Sequence, residues 1–418
     1  MIVTIARRTL GVFVWICILA LLAIAIVPRF LDRIYYQGEA SSHFDGAHFR
    51  NPDAEDSAAP PSGGSRIGFI RRMVTGEGSA PWPDHVAITQ GYPHPALTPC
   101  PSMNGGAHIE NWNRCTREPI AADAMAATWI GHASVLIQTR GFAMLTDPIW
   151  AARAGPFGIG PKRVTAPGIR LADLPKIDLI VVSHNHYDHL NIETLKALWD
   201  RDHPMILTPL GNDALLRAHG IGAIGMDWVA HARVGTATVH VMRNHHWSSR
   251  WGVDRNRALW SSFVVDTPAG RIVFAGDTGF GDGLWAGEAA AIPLADGSVP
   301  PVRFAMLPIG AFRFAPGQMH IDSHIGPAQA VQLWNRLGRP QTLPIHWGTF
   351  RLSNEARETP PTMLGLIMRC AGAGANTSRF AAWAVGEARL IAPAAPAPPI
   401  DEARVAACEA SPAVRALP

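Results

Sequence analysis

Ser183-His184-Asn185-His186-Tyr187-Asp188-His189-Leu190-Asn191 follows directly on Ile177-Asp178-Leu179-Ile180-Val181-Val182. The second stretch is apolar but for one aspartate. It predicts a strand buried on both faces. Ile192 to Trp199 then has helical spacing. The polar cluster therefore lies between the carboxyl end of a buried strand and a helix, where α/β folds place their chemistry. His184, His186, Asp188 and His189 are four ligand-type side chains within six residues. Imidazole nitrogen and carboxylate oxygen suit zinc and similar ions. In extended backbone His184 and His186 project to the same side. Four such groups exceed what one catalytic zinc needs, three protein ligands and a water. The spacing therefore points to two ions sharing a hydroxide. The bland alternative, an exposed polar loop with chance histidines, fits poorly behind so apolar a strand.

A two-ion site needs further ligands, and the chain offers three sources just beyond other predicted strands. They are Asn244-His245-His246-Trp247, Asp277 in Phe274-Ala275-Gly276-Asp277-Thr278-Gly279, and His346 in Leu343-Pro344-Ile345-His346-Trp347-Gly348. A lone histidine is usually structural. The repeated order of strand, ligand-type residue and loop is what converging strand ends at a catalytic cleft produce.

Around these motifs strands and helices alternate. Residues 126–139 and 141–148 read as two strands joined by a turn at Arg140-Gly141. Strands are also predicted at 205–210, 236–242, 261–266, 271–277 and 304–309, and a helix over Gly326–Leu337 with Pro327 in its first turn. The fold class is α/β with layered sheets.

The N-terminus differs in texture. Leu10 to Val27 carries no charge over eighteen residues, behind Arg7 and Arg8. A helix needs about 20 apolar residues to span a bilayer, so an N-terminal transmembrane anchor is expected, with a cleaved signal or a buried helix as alternatives. Arg7 and Arg8 favour a cytoplasmic N-terminus, while Arg29 and Arg33 on the other side of the run oppose it. Cysteine usage sides with Arg7 and Arg8: Cys100, Cys115, Cys370 and Cys408 lie outside the run, an even number that fits two disulfides in an oxidising compartment. The expected location is the bacterial inner membrane, single-pass, with the catalytic domain periplasmic. The domain reading is 1–30 anchor or signal, 31–121 irregular extension, 122–395 hydrolase domain and 396–418 Pro/Ala-rich tail. Phe44, Phe49, Phe69 and Trp82 favour an extension that wraps the domain, and Ile67–Val74 reads as a short helix. A formal net charge of +3 over 418 residues gives no basic stripe for nucleic acid.

Taken together, these motifs resemble the metallo-β-lactamase superfamily. Thr128-Trp129-Ile130-Gly131-His132-Ala133-Ser134, Leu145-Thr146-Asp147-Pro148, Gly160-Pro161-Lys162-Arg163, the histidine cluster, Asn244–Trp247, Gly276–Phe280 and Ile345–Phe350 occur in the order of its N-acyl-phosphatidylethanolamine phospholipase D group. His43–Pro52 is similar to that group's lead-in segment. The resemblance implies an αββα sandwich with two Zn2+ ions. It implies His184, His186 and His246 on one ion, Asp188, His189 and His346 on the other, and Asp277 bridging. His132 and Asp147 match supporting positions, where a carboxylate orients a ligating histidine, or else serve local turns. Asp188 is expected to ligate and to orient the attacking hydroxide. In Gln318-Met319-His320-Ile321-Asp322-Ser323-His324 the family's active-site histidine corresponds to His324 by spacing before Pro327, and to His320 by its neighbours. Acidic residues that follow in the family are replaced here by Ala328 and Gln329. The implied activity is hydrolysis of a phosphodiester, such as an N-acyl-phosphatidylethanolamine-like lipid, through a metal-bridging hydroxide. A lactonase or another ester or amide hydrolase is the alternative, and a non-catalytic binding protein on a degenerate scaffold would lack ligands that are all present. Lys162, Arg163, Arg250 and Arg313 are the candidate cations for phosphate oxygens.

Overall fold

The computed structural model describes residues 2–30, 36–51, 78–98, 116, 118–252, 254–314, 319 and 321–418. The reading of Ile67–Val74 as a helix, Phe69, Cys100, Cys115 and His320 all lie outside the described residues.

Two sheets face each other. The first contains β1 (Met125–Gly131), β2 (Ser134–Thr139), β3 (Phe142–Thr146), β4 (Leu179–Val181), β5 (Met205–Pro209), β6 (Ile224–Met226) and β13 (Ala388–Leu390), in the order β13-β1-β2-β3-β4-β5-β6. β3 to β6 run parallel, and the rest of this sheet is antiparallel. The second contains β7 (His231–Val234), β8 (Ala237–Met242), β9 (Ser262–Thr267), β10 (Gly270–Phe274), β11 (Val302–Pro308) and β12 (Gln341–Ile345), in the order β12-β11-β10-β9-β8-β7. The helices are α1 (Ile2–Phe30), α2 (Ile192–Asp202), α3 (Asn212–Ala218), α4 (Leu284–Ala290), α5 (Pro327–Arg336), α6 (Thr359–Cys370), α7 (Glu402–Glu409) and α8 (Pro412–Arg415).

The short strand β4 shows why the sheets stack. Leu179 and Val181 pack into the core between the sheets, with Trp129, Val135 and Met144. Ile180 and Val182 point the other way, onto Leu195 and Leu198 of α2 and Leu215 and Leu216 of α3. Alternation along a strand puts successive side chains on opposite faces, so a continuous apolar run needs cover on both. Helices α4 to α6 bury Trp285, Ala286, Val331, Trp334, Leu364 and Ile367 against the second sheet. The result is the expected αββα sandwich.

Three expectations need correction. The stretch 126–139 is two strands rather than one, because the chain turns at His132, held at φ 54°. The Pro/Ala-rich C-terminal stretch leads into α7 and α8, where Val405, Cys408 and Val414 are buried and Cys370–Cys408 is a disulfide. It is a packed part of the fold, not a loose tail. Among the described residues no helix is long and apolar enough to cross a membrane. The side chains of α1 are described over residues 8–23, a shorter stretch than the apolar run in the sequence, so the expected span gains no support here. Among the described residues of the extension, Phe44 and Phe49 are almost wholly buried in the main core.

Candidate metal centre

Loops at one edge of both sheets bring the predicted ligands together. His184, His186, Asp188 and His189 follow β4, His246 follows β8, Asp277 follows β10 and His346 follows β12. Asn191 caps α2, its side chain accepting from the Thr194 amide at 2.9 Å, which fixes where the cluster turns into the helix. Gly276 sits at φ 61°, and a Cβ there would lie 2.5 Å from the Ser183 Cβ, so only glycine lets the Asp277 loop close on the cluster.

The geometry falls into two groups around one shared carboxylate. The ligand-type atoms of His184, His186 and His246 lie within 4.8 Å of one another, as do those of His132, Asp188, His189 and His346. Asp277 Oδ2 lies 3.2 Å from His189 Nε2, 2.9 Å from His346 Nε2 and 4.0 Å from His246 Nε2. Asp188 Oδ2 lies 3.5 Å from both His189 Nε2 and His346 Nε2. All seven side chains are buried or nearly so.

Whether these residues fit a metal is answered by the atoms facing inward. His186 Nε2, His189 Nε2, His346 Nε2 and Asp277 Oδ1 are buried and make no hydrogen bond of ordinary geometry. Buried polar atoms are otherwise almost always satisfied. Meanwhile the outward ring nitrogens are engaged. His189 Nδ1 meets Asp147 Oδ2 at 2.6 Å, His246 Nδ1 meets the Ser323 carbonyl at 2.8 Å, and His346 Nδ1 meets the Gly310 carbonyl at 3.2 Å. A neutral histidine that donates from Nδ1 presents an unprotonated Nε2, the form a metal requires. The residues fit a metal-binding site.

Asp147 is the hub of this support. It is fully buried and accepts from the Ser183 amide at 2.7 Å and the Ser183 hydroxyl at 2.6 Å as well as from His189. Ser183 Oγ in turn meets His184 Nδ1 at 2.9 Å. One carboxylate therefore orients a histidine in each group. His132 Nε2 lies 2.9 Å from Asp188 Oδ2, within hydrogen-bond reach of that carboxylate. Asn51 grips the backbone of His246 from the extension, donating to its carbonyl at 2.9 Å and accepting from its amide at 3.2 Å. Sequence reasoning does not single out Ser183 or Asn51. Ser183 lies inside the quoted motif and Asn51 inside the lead-in segment, but neither is a ligand type.

Burial and neighbouring charges act against each other on these side chains. Burial alone would lower His346, yet Asp277 and Asp188 raise it to about 9. Burial likewise opposes His189, which Asp277, Asp188 and Asp147 lift well above the usual imidazole range. Burial would raise Asp188 and Asp277, but His189 heads the groups that hold both well below the usual carboxylate range. Burial pushes His186 down to about 3, and His184 and His246 well below the ordinary value.

His324 lies at the site. Its Nδ1 is 3.7 Å from Asp277 Oδ2, and its ring stacks on His346 at 5.2 Å between centroids. Burial, more than any neighbour, lowers it to about 3. The candidate phosphate cations fare worse. Arg163 gives its guanidinium to the Ala151, Thr165 and Ile149 carbonyls. Arg250 donates to the Asn185 and Leu190 carbonyls and lies 3.8 Å over the Tyr187 ring, bracing the cluster loop. Arg313 donates to the Leu417 carbonyl. Lys162 is exposed.

The Beta-lactamase superfamily domain matches residues 143–347. Over those residues, just under half of the chain, the fold and ligand arrangement are those of the metallo-β-lactamase superfamily. Within it the chain is similar to the N-acyl-phosphatidylethanolamine-hydrolyzing phospholipase D 1 of Caenorhabditis elegans, 36% identical over 239 residues, 54% of this chain and 64% of that one. An uncharacterized protein of Mycobacterium tuberculosis is 36% identical over 239 residues, 56% of this chain and 61% of its own. The chain thus spans less than two thirds of these relatives. Among solved structures, the metallo hydrolase Igni18 of Ignicoccus hospitalis is 19% identical, with a TM-score of 0.46 over 64% of this chain and 99% of that one.

Proposed function

We infer that this protein is a two-zinc hydrolase, a phosphodiesterase of phospholipase D type acting on N-acyl-phosphatidylethanolamine-like lipids. The observation that carries the reading is the pair of histidine groups joined through Asp277. His184, His186 and His246 would hold one ion, and Asp188, His189 and His346 the other. Two ions at such a site supply a hydroxide at neutral pH and positive charge for the developing oxyanion. The chain's own groups do the rest. Asp188, within 2.9 Å of His132 Nε2, would orient the attacking oxygen. His324, kept neutral by burial, is placed to accept or relay a proton beside Asp277. With Arg163 and Arg250 donating to backbone carbonyls, much of the charge on the phosphate would fall to the ions.

The phospholipid substrate is supported by the similarity to the nematode enzyme. Membrane attachment belongs to the same reading: α1 presents exposed apolar side chains, among them Phe13, Trp15, Leu19 and Leu21. The Cys370–Cys408 disulfide supports an oxidising compartment, and so the periplasmic face of a bacterial inner membrane. The test is hydrolysis by the full chain in detergent, loaded with zinc. N-acyl-phosphatidylethanolamine, a soluble phosphodiester and a lactone are compared, each with Asp188→Asn alongside. Release of phosphatidic acid, lost in the variant, is the expected result. Turnover of the lactone alone would leave the metal centre standing and overturn the phosphodiesterase assignment.

A further inference from the structure

The segment from Ala151 to Lys162 holds Arg153 and Lys162 and no acidic residue. Within it, Gly155-Pro156-Phe157-Gly158-Ile159-Gly160-Pro161 forms a tight projecting loop. Its neck is fixed: Ala154 N–H donates to the Pro161 carbonyl at 3.0 Å, Arg163 N–H to the Ala152 carbonyl at 2.9 Å, and the Arg153 guanidinium to the Gly160 carbonyl at 2.8 Å. A Cβ on Gly155 would stand 1.8 Å from the Ile159 carbonyl oxygen, so the two sides can close this far only with glycine. At the tip, Phe157 is 72% exposed and Ile159 70% exposed. Phe157 also sits at φ 54°, ψ 29°, a left-handed conformation that is a genuine outlier for a bulky residue. Strain of this kind costs about 1–3 kcal/mol and persists where surrounding structure enforces it, often at functional positions. Here it holds an aromatic ring in water instead of letting it fold back.

The loop adjoins the metal centre. The Phe157 ring lies 5.9 Å from that of Trp251, which lies 6.1 Å from that of Tyr187, between the ligands His186 and Asp188. Arg153 and Lys162 flank the apolar tip at its base. Two rigid apolar side chains above a basic collar match the layers of a phospholipid surface, acyl region beneath anionic head groups. We propose that the Gly155–Pro161 loop docks this protein on an anionic phospholipid bilayer, with Phe157 and Ile159 entering the acyl boundary and the mouth of the metal centre held against the head groups. The docking proposed for this loop does not depend on α1.

The test uses the full chain in nanodiscs that contain phosphatidylglycerol, with and without acyl-brominated lipid. Phe157→Trp adds one tryptophan to a background shared with the wild type, Trp15 of α1 included. The expected result is added emission that brominated lipid quenches by about half or more. No added quenching would overturn the proposal and leave the loop for a protein partner. In a second arm, Phe157→Ser/Ile159→Ser raises the apparent KM for bilayer lipid about tenfold, with turnover of a soluble phosphodiester unchanged, and Phe157→Leu/Ile159→Leu restores it. An equal loss on both substrates would also count against docking. Quenching without any phosphodiester turnover would sink the phospholipase reading and leave the docking surface intact.

Discussion

Replacing Asp147 by asparagine keeps the side chain's shape and removes its charge. The structure shows what that does. Both the Ser183 hydroxyl and His189 Nδ1 address Oδ2, and the Ser183 amide addresses Oδ1. All three are donors. An asparagine has one accepting oxygen, so either orientation turns its NH2 toward a donor. With the oxygen at the Oδ2 position the Ser183 amide is orphaned, at about 1–3 kcal/mol of stability. In the other orientation His189 loses the bond that fixes its tautomer, and His184 loses its through Ser183. Removing a group that orients a metal-bound histidine typically costs 10- to 100-fold in metal affinity or activity, which is about 1.4–2.8 kcal/mol. Asp147→Asn should therefore weaken zinc binding 10- to 100-fold in both groups and lower kcat/KM to match. Ser183→Ala, which spares the His189 bond, should weaken chiefly the group containing His184. Competition titration against a chromophoric chelator resolves the two affinities, and a thermal melt records the stability cost. An Asp147→Asn protein with wild-type affinities and only a lowered Tm would refute the reasoning, since Asp147 would then merely hold the fold.

Metal binding should release protons. Near pH 7 the metal-free chain carries protons on His189 and His346, whose raised values come from the carboxylates beside them. The ions must expel both, and a hydroxide formed from water between them releases one more, so about three protons should leave as the site fills, and affinity should fall as pH drops below about 9. Calorimetry in buffers of different ionisation enthalpy reads the number, and none released would contradict these raised values. His324→Ala should lower kcat about 100-fold with zinc content unchanged; lost zinc would make it a ligand instead. Replacing Cys370 and Cys408 by serine should cost about 4 kcal/mol by the chain-entropy estimate for a 38-residue separation, read from chemical denaturation.

Much of this centre is legible in the sequence, for a physical reason. Metal ligands belong to few residue types, and a strand end places them predictably. The buried run before His184 and the strand before Asp277 announce both the element and the ligand. What supports the ligands is written differently. Asn51 reaches His246 across a separation of 195 residues, and no local pattern predicts that meeting. The carbonyls of Ser323 and Gly310 act through backbone, which carries no side-chain signature. The division at His132 also escapes a periodicity reading, because Thr128–Gln138 looks continuously strand-like. The turn is set by a backbone conformation tied to Thr349 and His346 in a distant loop. Arg163 and Arg250 mislead in the opposite sense. As residue types they suit phosphate, yet burial favours pairing of their donors, and nearby carbonyls take several of them.

The central claim is that seven side chains hold two ions around Asp277. Anomalous diffraction from zinc-loaded crystals, at energies above and below the zinc edge, tests it most directly. Two peaks about 3.5–4 Å apart are predicted, one against His184, His186 and His246, the other against Asp188, His189 and His346, with Asp277 touching both. A single peak, or a second one away from Asp188 and His346, would contradict it.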